Sequence, residues 1–135
     1  MRGMAKTILI VEDDPLMSRM YQKIFKFEKY EVETAPNGEE GLEKARKIKP
    51  TCMLLDVMMP KMNGLQVLDK LKSDPDTKQI PVIMLTNLAG EKDAEKALMK
   101  GAVKYIVKSE HDPKQVVGMV KEIIAAHSRD DVPGS

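Results

Sequence analysis

The chain has one cysteine, almost no net charge and no long apolar stretch, and each shortage excludes something. Cys52 has no second cysteine to pair with, so an internal disulfide is ruled out. It lies inside the run Cys52-Met53-Leu54-Leu55 and reads as a small buried hydrophobe of a reducing compartment. Lysine and arginine number 22 against 21 aspartate and glutamate, so no global field draws the molecule to nucleic acid or a membrane surface. A membrane span needs about 18 apolar residues in a row, and none exists. The basic start Met1-Arg2-Gly3 leads into a strand, not a signal peptide. Internal repeats and low-complexity segments are absent. With 135 residues, 32% charged and 42% hydrophobic, the composition suits one soluble cytoplasmic domain with a real core.

What is present is alternation. Thr7-Ile8-Leu9-Ile10-Val11 is a β-branched apolar run that stops at Glu12-Asp13-Asp14-Pro15, where Asp14 and Pro15 suit an N-cap and first helical residue. Leu16, Met17, Met20, Tyr21, Ile24 and Phe25 recur at helical spacing to about Phe27. Residues Tyr30 to Ala35 alternate as a short strand. Pro36-Asn37-Gly38 turns the chain into a helix marked by Leu42, Ala45 and Ile48, which ends before Pro50. A strand from Cys52 to Asp56 has no polar alternation, as expected of one buried on both faces. A helix follows from about Gly64 to Lys72, broken by Ser73-Asp74-Pro75-Asp76. Pro81 to Thr86 reads as the fourth strand and Glu91 to Lys100 as a helix stopped by Gly101. Val103 to Lys108 is the fifth strand. The last helix spans about Pro113 to Ala126, with Val116, Val117, Val120, Ile123 and Ile124 as its apolar stripe. The expected organisation is an N-terminal extension over 1–5, one domain over 6–127 and a flexible tail over 128–135.

Five strand–helix alternations in so short a chain predict an α/β fold: a doubly wound five-stranded parallel sheet of flavodoxin-like order 2-1-3-4-5, with helices on both faces. Strands one and three are then neighbours at the switch point, where ligands sit outside the carboxyl ends of the strands. Glu12 and Asp13 fall beside Asp56. Crowded carboxylates repel, so they retain protons or hold a cation. Oxygen donors with neither histidine nor cysteine among them indicate a hard metal, Mg²⁺ before Zn²⁺. Thr86 ends the fourth strand with a hydroxyl and Lys108 ends the fifth with an ammonium. Together these groups suit in-line phosphoryl transfer, which depends on positioning and charge neutralisation. His111 and His127 stand apart and read as surface residues.

The pair Glu12-Asp13, the run Asp56-Val57-Met58-Met59-Pro60-Lys61-Met62-Asn63-Gly64, then Thr86, Gly101-Ala102 and Lys108 occur in the order and spacing of bacterial two-component response-regulator receiver domains. From Lys6 to Ala126 the chain resembles that family in its stand-alone, chemotaxis-regulator-like form. The resemblance implies that Asp56 is the phosphoacceptor and that Asp13 is a direct metal ligand, with Glu12 acting beside it. It gives the backbone carbonyl of Met58 as a third protein ligand for Mg²⁺ or Mn²⁺. Thr86 and Lys108 match the residues that bind phosphoryl oxygens, and Tyr105, with Thr86, matches the switch. It further implies a histidine kinase or phosphotransfer protein as donor and a downstream output protein reading the face of the fourth helix, fifth strand and last helix. Neither nucleic acid nor membrane is bound directly, and the state is a monomer or a phosphorylation-dependent dimer. No enzymatic activity is expected beyond assisting the chain's own phosphorylation and dephosphorylation.

Two positions depart from the family pattern. Ser109 follows Lys108 where proline is usual, and Asn87 stands where a smaller residue is common. Met58 and Leu88, two residues beyond Asp56 and Thr86, are expected with Asn87 to modulate phosphoryl lifetime. A thioether and an isobutyl group cannot hold an in-line water and should exclude it. Two other classes compete: a phosphorylation-independent interaction module, and a flavodoxin-like cofactor binder or metal-dependent phosphatase. Against the last, Glu12-Asp13-Asp14 repels a flavin phosphate, and Met58 stands where a haloacid-dehalogenase phosphatase places a second aspartate.

Overall fold

Five parallel strands lie in the order β2-β1-β3-β4-β5. The computed structural model describes residues 6–130, with side chains through residue 127; residues 1–5 and 131–135, assigned above to an extension and a tail, fall outside it. The elements are β1 (Thr7–Val11), α1 (Pro15–Phe27), β2 (Glu31–Ala35), α2 (Gly38–Ile48), β3 (Cys52–Leu55), α3 (Gly64–Ser73), β4 (Val82–Thr86), α4 (Glu91–Met99), β5 (Lys104–Val107), a 3₁₀ turn (Lys108–Glu110) and α5 (Pro113–Asp130). The predicted α/β architecture and strand order are those observed. β1 pairs with β2 on one side (Thr7 opposite Glu31) and β3 on the other (Ile8 opposite Cys52).

Strand periodicity sorts the core into two layers. Leu9, Val11, Met53, Leu55, Val82 and Met84 face α2, α3 and α4, where Leu42, Val67, Leu68 and Ala97 cover them. Ile8, Ile10, Cys52, Leu54, Ile83 and Ile106 face the opposite way, onto Tyr21 and Phe25 of α1 and Val116, Val120 and Ile124 of α5. Cys52 is fully buried and its thiol is pushed up to about 12 by that burial, so it is the inert hydrophobe its position suggests.

Helix starts follow the capping residues. Asp14 accepts from the Leu16 amide at 2.9 Å with Pro15 next. Asn37 caps α2, and Asn63 and Gln66 form a reciprocal capping box on α3. Gly101 adopts φ 111°, a conformation that suits glycine as α4 gives way to β5.

Several boundaries differ from the sequence expectation. β3 stops at Leu55: the Asp56 amide still donates to the Val11 carbonyl at 3.2 Å, but its side chain already belongs to the loop. β5 covers Lys104–Val107 only, and Lys108 opens the 3₁₀ turn instead of closing the strand. α5 continues to Asp130, past the polar residues expected to begin a tail, because extending a formed helix adds a hydrogen bond for each residue fixed. Every described peptide bond is trans, Lys108–Ser109 included. No described helix is long and apolar enough to cross a membrane.

Candidate functional site

The carboxyl ends of β1 and β3 bring the predicted acids together. Glu12 continues β1 by one bond, its amide donating to the Ala35 carbonyl at 3.1 Å. Beyond Asp56 the chain folds back sharply over 57–63. Lys61 takes φ 70°, the Met62 amide donates to the Pro60 carbonyl at 2.8 Å, and the Gly64 amide donates to the Val57 carbonyl at 2.9 Å. This return presses α3 against the acidic strand end. A Cβ on Gly64 would stand 2.2 Å from the Asp56 carbonyl oxygen and 2.8 Å from Val57 Cα, so no larger residue fits.

Glu12, Asp13 and Asp56 each offer a carboxylate oxygen, all within 4.8 Å of one another. Glu12 and Asp56 are buried and Asp13 is exposed. Asp56 is held from two sides: Oδ1 accepts from the Met58 amide at 3.1 Å and Oδ2 from the Lys108 ammonium at 3.3 Å. Lys108, itself buried, also donates to Glu12 Oε1, and Glu12 Oε2 accepts from the Asp14 amide at 3.1 Å. Burial raises the Glu12 carboxyl above its ordinary value, and the bond from Lys108 offsets this only in part. For Lys108, burial pulls downward, but its bond to Glu12 and the charge of Asp56 outweigh it and leave the ammonium raised.

The pairing of Glu12 with Lys108 is the feature that sequence reasoning missed. β1 and β5 are separated by β3 and β4, so nothing in sequence spacing joins them. The available signal was energetic: an ammonium at a crowded strand end requires a counter-charge.

Thr86 is fully buried, and its Oγ1 accepts from the Leu88 amide at 3.2 Å. That leaves its proton available to another acceptor. Tyr105 donates to the Leu88 carbonyl at 2.6 Å. Leu88 is thus gripped at both backbone atoms by the two residues assigned to the switch. Its side chain is half-buried, whereas Asn87 and Met58 are exposed, Met58 at 59%. His111 and His127 lie outside the acidic cluster, both half-buried, with the His127 Nδ1 3.0 Å from the Ile123 carbonyl.

The donor set fits a hard divalent cation. Three carboxylates converge, all of them oxygen donors of the kind a hard divalent ion takes. What the arrangement offers chemically is a buried carboxylate in contact with an ammonium, with the Thr86 hydroxyl at the end of the neighbouring strand β4, a set able to meet negative charge.

The profile of the response regulator receiver domain matches residues 8–121. Transcriptional regulatory protein SrrA of Staphylococcus aureus is 38% identical over 121 residues, covering 90% of this chain and 48% of that protein. The chain therefore spans about half the length of the curated relatives it matches. Among solved structures, the CheY-like receiver domain protein of Methanospirillum hungatei superposes with a TM-score of 0.87 at 31% identity, over 94% of this chain and 99% of that one. Chemotaxis protein CheY4 of Vibrio cholerae gives a TM-score of 0.82 at 27% identity, over 88% and 98%. Sequence and fold agree: the chain belongs to the response regulator receiver domains of two-component signal transduction.

Proposed function

We propose that Asp56 accepts a phosphoryl group from a phosphohistidine of a kinase or phosphotransfer protein, or from a small phosphodonor. The observation that carries this reading is the carboxylate of Asp56, 7% exposed, fixed between the Met58 amide and the Lys108 ammonium beside Glu12 and Asp13. A fixed carboxylate loses little freedom on reaching an in-line geometry. An Asp56 oxygen attacks phosphorus as the bond to the donor's nitrogen or oxygen breaks, and the leaving group departs on the opposite side.

Glu12, Asp13, Asp56 and the Met58 carbonyl are the residues suited to hold Mg²⁺ or Mn²⁺. When bound, the ion supplies positive charge to the phosphoryl oxygens. Lys108 contributes a second positive charge and Thr86 a hydroxyl donor. The new charge of about −1.5 to −2 draws Thr86 and Lys108 toward it. Movement of Thr86 disturbs its bond to the Leu88 amide and, through the Leu88 carbonyl, the hold of Tyr105. Output is then a shift between two arrangements of this loop. It is read on the face of α4, β5 and α5; Leu98 and Met99 at the end of α4 are exposed. The chain promotes its own phosphorylation and dephosphorylation and acts on no separate substrate.

The test is intact mass after incubation with acetyl phosphate and Mg²⁺, wild type beside Asp56→Asn. A single phosphoryl adduct is expected on the wild type and none on the variant. Equal adducts would place the acceptor elsewhere, and no adduct on either would favour a phosphorylation-independent interaction module.

A further inference from the structure

Methionine is abundant, with 11 residues, and most of the described ones are protected. Met53 and Met84 are fully buried, Met59 is 8% exposed, and Met17, Met20, Met62 and Met119 are half-buried. Two stand out in solvent: Met99 near the end of α4 at 88% and Met58 at 59%. Met58 alone adjoins the acidic site. Its amide donates to Asp56 Oδ1 at 3.1 Å, so its backbone stands directly against that carboxylate and its side chain is two residues along the chain from it. It lines an open hollow of 450 Å³ with Val57, Met59, Pro60 and Asn63, wide enough to admit a small oxidant.

The geometry points to Met58 as a peroxide-sensitive modification site that sets the lifetime of the phosphorylated state. This inference rests on Asp56 being the phosphoacceptor. The thioether sulfur attacks the distal oxygen of a peroxide: an S–O bond forms and the O–O bond breaks. Sulfur is oxidised by two electrons, and the peroxide is reduced to water or an alcohol after taking up a proton. The product exchanges a soft apolar side chain for a polar one bearing a strong hydrogen-bond acceptor. Neither the thioether of Met58 nor the isobutyl group of Leu88 can orient a water toward phosphorus. A sulfoxide oxygen at the rim of Asp56 can, as a positioned carboxylate or amide does. Oxidation therefore turns a residue that excludes water into one that recruits it, and the phosphoryl group is lost faster. Met99 oxidises alongside it but lies on α4, away from the carboxylates.

The experiment loads the protein with acetyl phosphate and Mg²⁺, removes the donor, and follows phosphate loss before and after mild hydrogen peroxide treatment. Peptide mass mapping scores oxidation at each methionine. The expected result is Met58 oxidising well ahead of Met53, Met59 and Met84, with loss accelerated roughly three- to tenfold, a small part of what a positioned proton acceptor contributes. Met58→Leu should show no acceleration after the same treatment despite oxidation at Met99, and Met58→Gln should lose phosphate rapidly without peroxide. Methionine sulfoxide reductase should restore the slow rate in the wild type. An unchanged lifetime with Met58 demonstrably oxidised overturns the inference and leaves the phosphoacceptor reading intact. Equal acceleration in Met58→Leu assigns the effect to another methionine and also overturns it. Failure of the untreated wild type to form any phosphoprotein overturns both.

Discussion

At the scale of single residues, Gly64 and Gly118 are opposites. The first has a backbone carbonyl where its Cβ would be, the second has nothing within 4 Å. Gly64→Ala should destabilise the domain by about 2–3 kcal/mol, since the obstructing atoms are main chain and cannot rotate away. Gly118→Ala, on the exposed side of α5, should stabilise by up to about 1 kcal/mol from helix propensity. Urea unfolding of the two variants beside wild type checks both signs. Sequence made the acids, Thr86 and Lys108 legible because each interrupts an apolar run at the point where a strand ends. It could not disclose why Gly64 must be glycine, because that reason is a contact with the carbonyl of residue 56. Nor could it disclose the Glu12–Lys108 pair, which reaches past two intervening strands.

Elements were legible where an apolar period met a turn or capping signal, as at Asp14-Pro15 and Pro36-Asn37-Gly38; that Asn37 and Asn63 cap their helices was not read from the sequence. Elements were misjudged where backbone bonding outran side-chain pattern, as at the end of α5 and at the 3₁₀ turn after β5. Between elements, α2 is tied to the end of α3 by Arg46 and Asp74 at 2.9 Å. The bond from Arg46, and then the Asp76 amide, holds the Asp74 carboxyl below its ordinary value of 3.8. A carboxyl lowered on folding stabilises the native state above its ordinary value, and that contribution is lost as pH falls through the lowered one. Asp74→Asn should therefore be less stable than wild type at neutral pH, and the gap should close as pH drops below 3.8. Denaturant titrations across that range measure it. The loop between β4 and α4 depends on Tyr105 as well as Thr86. Tyr105→Phe removes one neutral hydrogen bond, worth about 1 kcal/mol. It should speed amide exchange over residues 87–90 while phosphorylation on Asp56 proceeds as before.

For the whole molecule, the strand order was predictable because right-handed crossovers leave few ways to stack five strand–helix units. The same order has a kinetic consequence. Every pairing is parallel and must close through an intervening helix, so no hairpin can serve as a quick local nucleus. β1 is the exception in economy: its partners β2 and β3 both come from the first 55 residues, so the chain from β1 through β3 can assemble before β4 and β5 join. Folding should then be polarised toward the N-terminal half. Truncating Ile10, fully enclosed in β1, should mainly slow folding, whereas truncating Ile106 in β5 should mainly speed unfolding. Stopped-flow chevrons of Ile10→Val and Ile106→Val separate the two, and equal effects on both limbs would show that the sheet closes all at once. With that polarisation, a nascent chain whose residues through Asp56 have cleared the ribosome carries Glu12, Asp13 and Asp56 on one folded edge, and β4 and β5 arrive later with the hydroxyl and the ammonium.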